Sequence, residues 1–221
     1  MVSHEYVITE NKKEIRSSTT NTDVTSERTF VGSYEESFMR SRNTEFLVSN
    51  LAPKTKYYQF FDGNSSVDFI PKLVEIANDE TLQNYGASGS FKVGETVVGS
   101  YNGNNLIEFR VASGNHKYGS YSSPSTTYQI NPYLPNEVLP SSYSSSSKVL
   151  NVDTHSLSQE SQGKYSGYLI KGMRLVGQDS GAVAYVKDLR LISDNYGDLI
   201  GSFFIRDPNT NPAPTVRIHT G

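Results

Sequence analysis

The sequence predicts an all-β protein of short strands, arranged as β-sandwich or small-barrel modules with extended arms and a linker. Three observations predict it. The first is a pair of glycine-rich stretches. When residues 89–119 are shifted by 78 positions onto 167–197, Gly89, Gly94, Gly99, Gly103 and Gly119 fall on Gly167, Gly172, Gly177, Gly181 and Gly197. Tyr118 falls on Tyr196, and Phe91, Val97, Val98 and Val111 fall on Leu169, Leu175, Val176 and Leu189, with no gap. Glycines recur in this way where turns and bulges need unusual backbone angles, so the reading is one small β-module used twice. The second is composition: 15 Tyr and 10 Phe sit in a chain only 35% hydrophobic, which suits strands with one polar face. The third is alternation of apolar and polar residues between turn signals.

Composition also excludes function classes. Lys and Arg number 20 against 23 Asp and Glu, a net charge of −3, so there is no basic footprint for nucleic acid. With no cysteine, disulfides and thiolate chemistry are excluded. The opening MVSHEYVITENKKEIR has no apolar core and does not read as a signal peptide. No run reaches the roughly 20 apolar residues of a membrane span. The chain reads as soluble, or as part of a soluble assembly.

Taken in order, residues 1–29 read as an extended N-terminal arm. Only Tyr6-Val7-Ile8 resembles a strand, and Ser17 to Glu27 is too polar to bury much. Residues 30–124 read as a β domain. Thr44 to Val48 alternates, Leu51 to Thr55 turns, and Tyr57 to Phe61 is a second strand stopped by Asp62-Gly63. Val67 to Ile70 and Leu73 to Ile76 are short strands around Pro71, and Asn78 to Gln83 reads as one helical turn. Ser90 to Val98 and Leu106 to Ala112 form a hairpin around Asn102-Gly103. Residues 125–165, with Pro132, Pro135, Pro140 and a serine run, read as a linker that separates two units or wraps a surface. Val149 to Val152 is a short strand within it. Residues 166–221 hold the second glycine-rich stretch, the strand Leu199 to Ile205, and an open C-terminal strand at Val216 to Ile218. Such an edge invites pairing with another chain.

Two resemblances sharpen this reading. The spacing Leu51-x-Pro53-x-Thr55-x-Tyr57 resembles the fibronectin type III corner, where a Tyr bonds back to upstream backbone. Only 56 residues precede Tyr57, so the expectation is a rearranged or partial sandwich. Phe38-Met-Arg40-Ser-Arg42-Asn43, Phe46, Leu51-x-Pro53-x-Thr55-x-x-Tyr58-x-Phe60-Phe61-Asp62-Gly63 resembles a pattern in virion structural proteins of tailed bacteriophages. There it runs as an Arg-Ser-Arg strand, a Leu-Lys-Pro-Asn-Thr turn and a Tyr-x-Phe-Phe-Asp strand. Ala52 and Lys54 depart from that turn. Phe91 to Val97 is similar to the Phe-x-Val-Gly-Glu-Thr-Val segment that follows. Gly181-Ala, then Gly201-Ser-Phe-Phe-Ile205-Arg-Asp207-Pro208, is similar to the later Ser-Gly-Ala and Phe-Phe-Ile-Pro-Asp-Pro segments, with Arg206 in place of Pro.

The resemblance implies a tail, baseplate or tail-fibre component located in the virion tail region and soluble in the host cytoplasm before assembly. Its partners would be other virion structural proteins. It would be a homo-oligomer or sit on a symmetric hub, and act as scaffold or adaptor through β-edges and arms. The alternative is a receptor- or carbohydrate-binding module for host attachment, of a tail fibre or cell-surface adhesin, recognising a host surface glycan or receptor.

No stretch nominates catalysis, so the expectation is a non-enzyme with no cofactor and no metal. Gly177-Gln-Asp179-Ser180-Gly181 resembles a serine nucleophile loop, but its place in the repeat makes it a hairpin turn. Asp194-Asn-Tyr-Gly197-Asp198 has calcium-loop residue types without the full spacing or the terminal Glu, and reads as a tight turn. His4, His116, His155 and His219 read as surface histidines without ligand spacing. Interface candidates are Arg40 and Arg42, at period two on one strand, with Tyr57, Phe60, Phe61, Phe203 and Phe204. Candidates for a ligand surface are Tyr101, Tyr118 and Tyr121, set among Ser and Asn.

Overall fold

A computed structural model describes residues 2–12, 25–36, 41–60, 67–77, 88–159 and 164–207. The chain forms two compact units, one of residues 1–40 with 207–221 and one of residues 41–206. In the first, β1 (Val2–Lys12) and β2 (Thr25–Glu36) pair as an antiparallel ribbon, with a register shift between Tyr6 and Val7. Part of the expected N-terminal arm is therefore a strand of a hairpin. The helical turn expected at 78–83 and the C-terminal strand at 216–218 lie outside the described residues.

The second unit is built round a ring of strands. Its elements are β3 (Arg42–Val48), β4 (Lys56–Tyr57), β5 (Phe69–Pro71), β6 (Leu73–Ala77), β7 (Thr96–Tyr101), β8 (Asn104–Arg110), β9 (His116–Ser120), β10 (Ser123–Thr127) and β11 (Val149–Asn151). Then follow α1 (Thr154–Ser158), β12 (Ser166–Gly167), β13 (Arg174–Gly177), β14 (Val183–Asp188), β15 (Leu191–Ile192) and β16 (Leu199–Ile205). The large sheet runs β11-β6-β14-β13-β7-β8-β12, antiparallel throughout. It closes on itself. Val111, just past β8, bridges Val152, just past β11. The Ala112 N–H donates to Asn151 O at 2.9 Å, and the Asp153 N–H donates to Arg110 O at 3.0 Å. Six strands thus form a barrel, and β12 is added outside β8.

Alternation explains the lining. Ile107 and Phe109 of β8, Leu175 of β13 and Ala184 and Val186 of β14 are all buried in one core with Val97, Val74 and Leu150. A barrel this narrow is filled by side chains. Gly99 is there for space: a Cβ would lie 2.6 Å from Ile107 Cγ2 and from Met173 Sδ. Outside the barrel, β3, β16 and β5 form a second sheet. At Lys72 the chain passes from β5 in that sheet to β6 in the barrel.

The all-β reading matches the structure, and the small-barrel form describes it. The structure does not make the two glycine-rich stretches one module used twice. Four of the five glycine pairs share positive φ, for example Gly103 at 80° and Gly181 at 69°. The hairpins differ in register: Val98 faces Glu108, whereas its counterpart Val176 faces Val183, three positions short of the matching residue. Nor do the stretches form separate units. β7 and β13 are hydrogen-bonded neighbours, with Val98 opposite Val176. The span 125–165, expected as a linker, supplies β11 to the barrel wall and contains α1. Leu150, Val152 and Leu157 make that possible, because their burial offsets the ordering of the segment.

Candidate functional site

Strand β3 and the aromatic cluster about Lys117 meet at one corner, where residues 51–57 lie against the 193–197 loop. β3 lies along β16 from Arg42 opposite Ile205 to Val48 opposite Leu199. The chain then turns over the loop of residues 193–197. The Leu51 N–H donates to Gly197 O at 3.0 Å, and Ser193 Oγ donates to Ala52 O at 2.6 Å. Gly197 has φ +82°, and a Cβ there would lie 2.2 Å from Leu51 O, so this contact requires glycine. The Tyr57 hydroxyl accepts from the Ala52 N–H at 3.1 Å, the back-bond that the fibronectin-like spacing implies.

The strand expected over Tyr57 to Phe61 is shorter. Only Lys56–Tyr57 is strand, paired with β15, because the corner commits Tyr57 to the 193–197 side. Beyond it Tyr58 is 77% and Phe60 68% exposed, and Leu47 at the end of β3 is 55% exposed. Among the described residues β3 has a strand neighbour on one side only. At its Asn43 end β3 is bonded through the side chain to Gly167 of β12, and at its other end Leu47 and Val48 are exposed apolar side chains.

The other expected interface residues are spread. Arg42 is exposed at the start of β3. Phe203 and Phe204 are half-buried on β16, where Phe203 meets Phe46 with ring centroids 4.7 Å apart and Phe204 stacks on Tyr168 at 5.5 Å. Arg40 and Phe61 lie outside the described residues.

The expected tyrosines have separate partners. Tyr101 is exposed at the β7–β8 tip. Tyr121 lies 4.0 Å from the Arg110 guanidinium carbon, over Gly94. Tyr118 belongs to a cluster about Lys117. That buried ammonium contacts Asp194 at 2.5 Å and Asp198 at 2.7 Å, with the rings of Tyr118, Tyr196 and Tyr128 at 5.4, 5.2 and 5.9 Å. Burial works against the charge of Lys117, and the bonds from Asp194 and Asp198 more than offset it, so its pKa is raised. The Lys117 bond in turn lowers the Asp198 carboxyl below its usual range. Asp194 Oδ1 also accepts from the Tyr196 and Asp198 N–H groups at 2.9 Å each. The 194–198 turn is thus pinned from within by a cation of the chain itself.

Ser180 sits in the β13–β14 turn and donates to Glu95 Oε1 at 2.9 Å. The same buried carboxylate accepts the Lys92, Asp179 and Ser180 N–H groups, so it braces two turns. Among the described residues no group of three His, Asp or Glu is placed to hold a metal, and no helix is long and apolar enough to cross a membrane. No family model matches this chain, and no curated protein or solved structure is significantly similar to it.

Sequence reasoning missed a second polar cluster, at the barrel closure. His116, expected at the surface, is 4% exposed. It lies on β9, where it pairs with Thr127 of β10, and the side-chain amide of Asn151 donates to its carbonyl at 2.8 Å. Lys72 is also buried, and its Nζ donates to Val152 O at 2.7 Å. Burial lowers its pKa to about 8, with Asp153 and Glu45 opposing the shift. One signal was available: Lys72 interrupts the apolar run Phe69 to Val74, where a charge must find a partner.

Proposed function

We propose that this chain is a structural component of a tailed-phage virion, from the tail, baseplate or tail-fibre assembly. It acts as a scaffold or adaptor, without catalysis, by presenting strand edges to neighbouring subunits in a homo-oligomer or on a symmetric hub. The observation that carries this reading is the one-sided strand β3 beside Leu47, Tyr58 and Phe60. Apolar side chains that large, next to a strand with one strand neighbour among the described residues, favour pairing with another chain. The phage-like segments, which include β3 and the corner, support the same reading.

The test is mass spectrometry of purified phage particles, with copy number measured against the major capsid protein. A small multiple of three or six supports a tail or baseplate position. Particles that lack the chain overturn the reading.

A second reading, a module binding a host surface glycan or receptor, is favoured by Tyr196. Tyr196 is 60% exposed, on a turn whose backbone bonds to Asp194, and its ring lies 5.2 Å from Lys117 Nζ. A pre-organised aromatic ring suits stacking on a sugar face. Glycan binding that Tyr196→Ala abolishes supports it, and binding unchanged in that variant overturns it.

A further inference from the structure

The barrel has one closure that differs from its other strand pairs. Between β8 and β11 the backbone contributes the Val111–Val152 bridge and two flanking bonds, Ala112 N–H to Asn151 O and Asp153 N–H to Arg110 O. Side chains supply the rest. Val152 is held twice by Lys72: its N–H donates to Lys72 O at 2.9 Å, and Lys72 Nζ donates to its carbonyl at 2.7 Å. Asn151 donates its amide to Gly114 O and His116 O. The Tyr143 hydroxyl donates to Ala112 O at 2.6 Å and accepts from the Asn151 N–H at 3.1 Å.

Two bases are buried together here. Because Gly119 O can only accept, the His116 ring donates to it through Nε2, at 3.1 Å. Nδ1 is then a buried lone pair with no partner. Three charged groups lie within electrostatic reach of the ring: Lys72 at the β5–β6 bend, Asp153 between β11 and α1, and Glu45 on β3. Both carboxylates are already engaged. Asp153 takes Arg110 Nε at 2.8 Å and Nη2 at 2.6 Å, while Glu45 takes Thr154 Oγ1 at 2.6 Å and lies 3.5 Å from His155 Nδ1.

We propose that this closure is a pH-operated latch, in which protonation of His116 opens the β8–β11 seam and loosens the span 112–152 from the barrel wall. A proton on Nδ1 turns an unpartnered acceptor into a buried cation with no acceptor, beside the ammonium of Lys72. Burial and Lys72 both hold the ring neutral, which places the trigger below the ordinary histidine range. Elsewhere the ring of strands is held by apolar packing, with Val97 of β7, Leu175 of β13 and Val186 of β14 in one core, so it stays shut when the seam gives.

The test is amide hydrogen exchange on the 221-residue chain at about pH 7.5 and about pH 5, corrected for the intrinsic pH dependence. The amides of Ala112, Val152 and Asp153 should lose about tenfold or more protection at the lower pH. Those of Leu175 and Val186 should not. His116→Gln, which cannot titrate, should abolish the difference, and Lys72→Met, which removes the ammonium that holds the ring neutral, should move the opening to higher pH. Equal protection of the seam at both values overturns the proposal, as does a loss of protection that persists in His116→Gln. If that variant does not fold, the wild-type His116 ring can be titrated by NMR, and seam opening that does not track its midpoint overturns the proposal.

Discussion

Lys72 and Lys117 are both almost wholly buried, at 3% and 6% exposure, yet their environments push them in opposite directions. Lys117 has two carboxylates at contact distance and three aromatic rings around it, and its pKa is raised. Lys72 contacts a carbonyl, with Asp153 and Glu45 acting on it only as charges at longer range, and its pKa falls to about 8. Desolvation is the largest influence at both. What decides the outcome is a directly bonded counter-charge, because only contact geometry recovers what burial costs an ion. One lysine is therefore a strut and the other a strained closure.

The most severe way to break the comparison is Lys117→Met. It leaves Asp194 and Asp198 facing each other without their cation, and should destabilise the chain by about 3–5 kcal/mol in urea unfolding. Stability unchanged within error would mean that the cluster is open to solvent. Lys72→Met should do the reverse at neutral pH. It removes a penalty of about 3 kcal/mol and a hydrogen bond worth about 1, for a net gain of about 2 kcal/mol.

The pH dependence follows with its sign. The folded pKa of Lys72 lies below the unfolded 10.5, so between about 8 and 10.5 the unfolded chain binds more protons and stability rises with pH. The advantage of Lys72→Met over wild type should therefore shrink across that window. A constant difference from pH 7 to 10 would show that Lys72 is not desolvated. Lys117 contributes fully below 10.5 and is lost only as pH passes its higher folded value. The smallest effect is at Tyr196. Tyr196→Leu removes one ring from Lys117 at 5.2 Å and should cost about 0.5–1 kcal/mol. A cost above that range would mean the ring also braces the turn.

The local features were legible in the residues. Asn102-Gly103 forms the expected hairpin turn, with φ of 49° and 80°. The Thr44 to Val48 strand lies within β3, and Tyr57 bonds back to Ala52. The Asp194 to Asp198 segment is the expected turn, because its carboxylates are engaged by backbone and by Lys117. What was misread was distant. The stretch 125–165 reads as a linker because its serines and prolines are local breakers, whereas the short strand within it puts Leu150 and Val152 into one core with residues far along the chain, Val74 and Phe109 among them. His116 reads as exposed because its neighbours in sequence are polar, whereas in the fold it is 4% exposed and Asn151, distant in the chain, bonds to its carbonyl.

By itself, then, the sequence determined the strand class, the turn positions and the tyrosine corner. Each depends on φ preferences, alternation or contacts across a few residues, which neighbouring side chains settle. The tertiary structure alone decided that two glycine-rich stretches share one barrel wall, that β11 closes it, and that one buried lysine meets carboxylates while the other meets a carbonyl. Those outcomes depend on strand order and register. A shift of three positions between otherwise similar hairpins changes which side chains meet, and no local pattern records it.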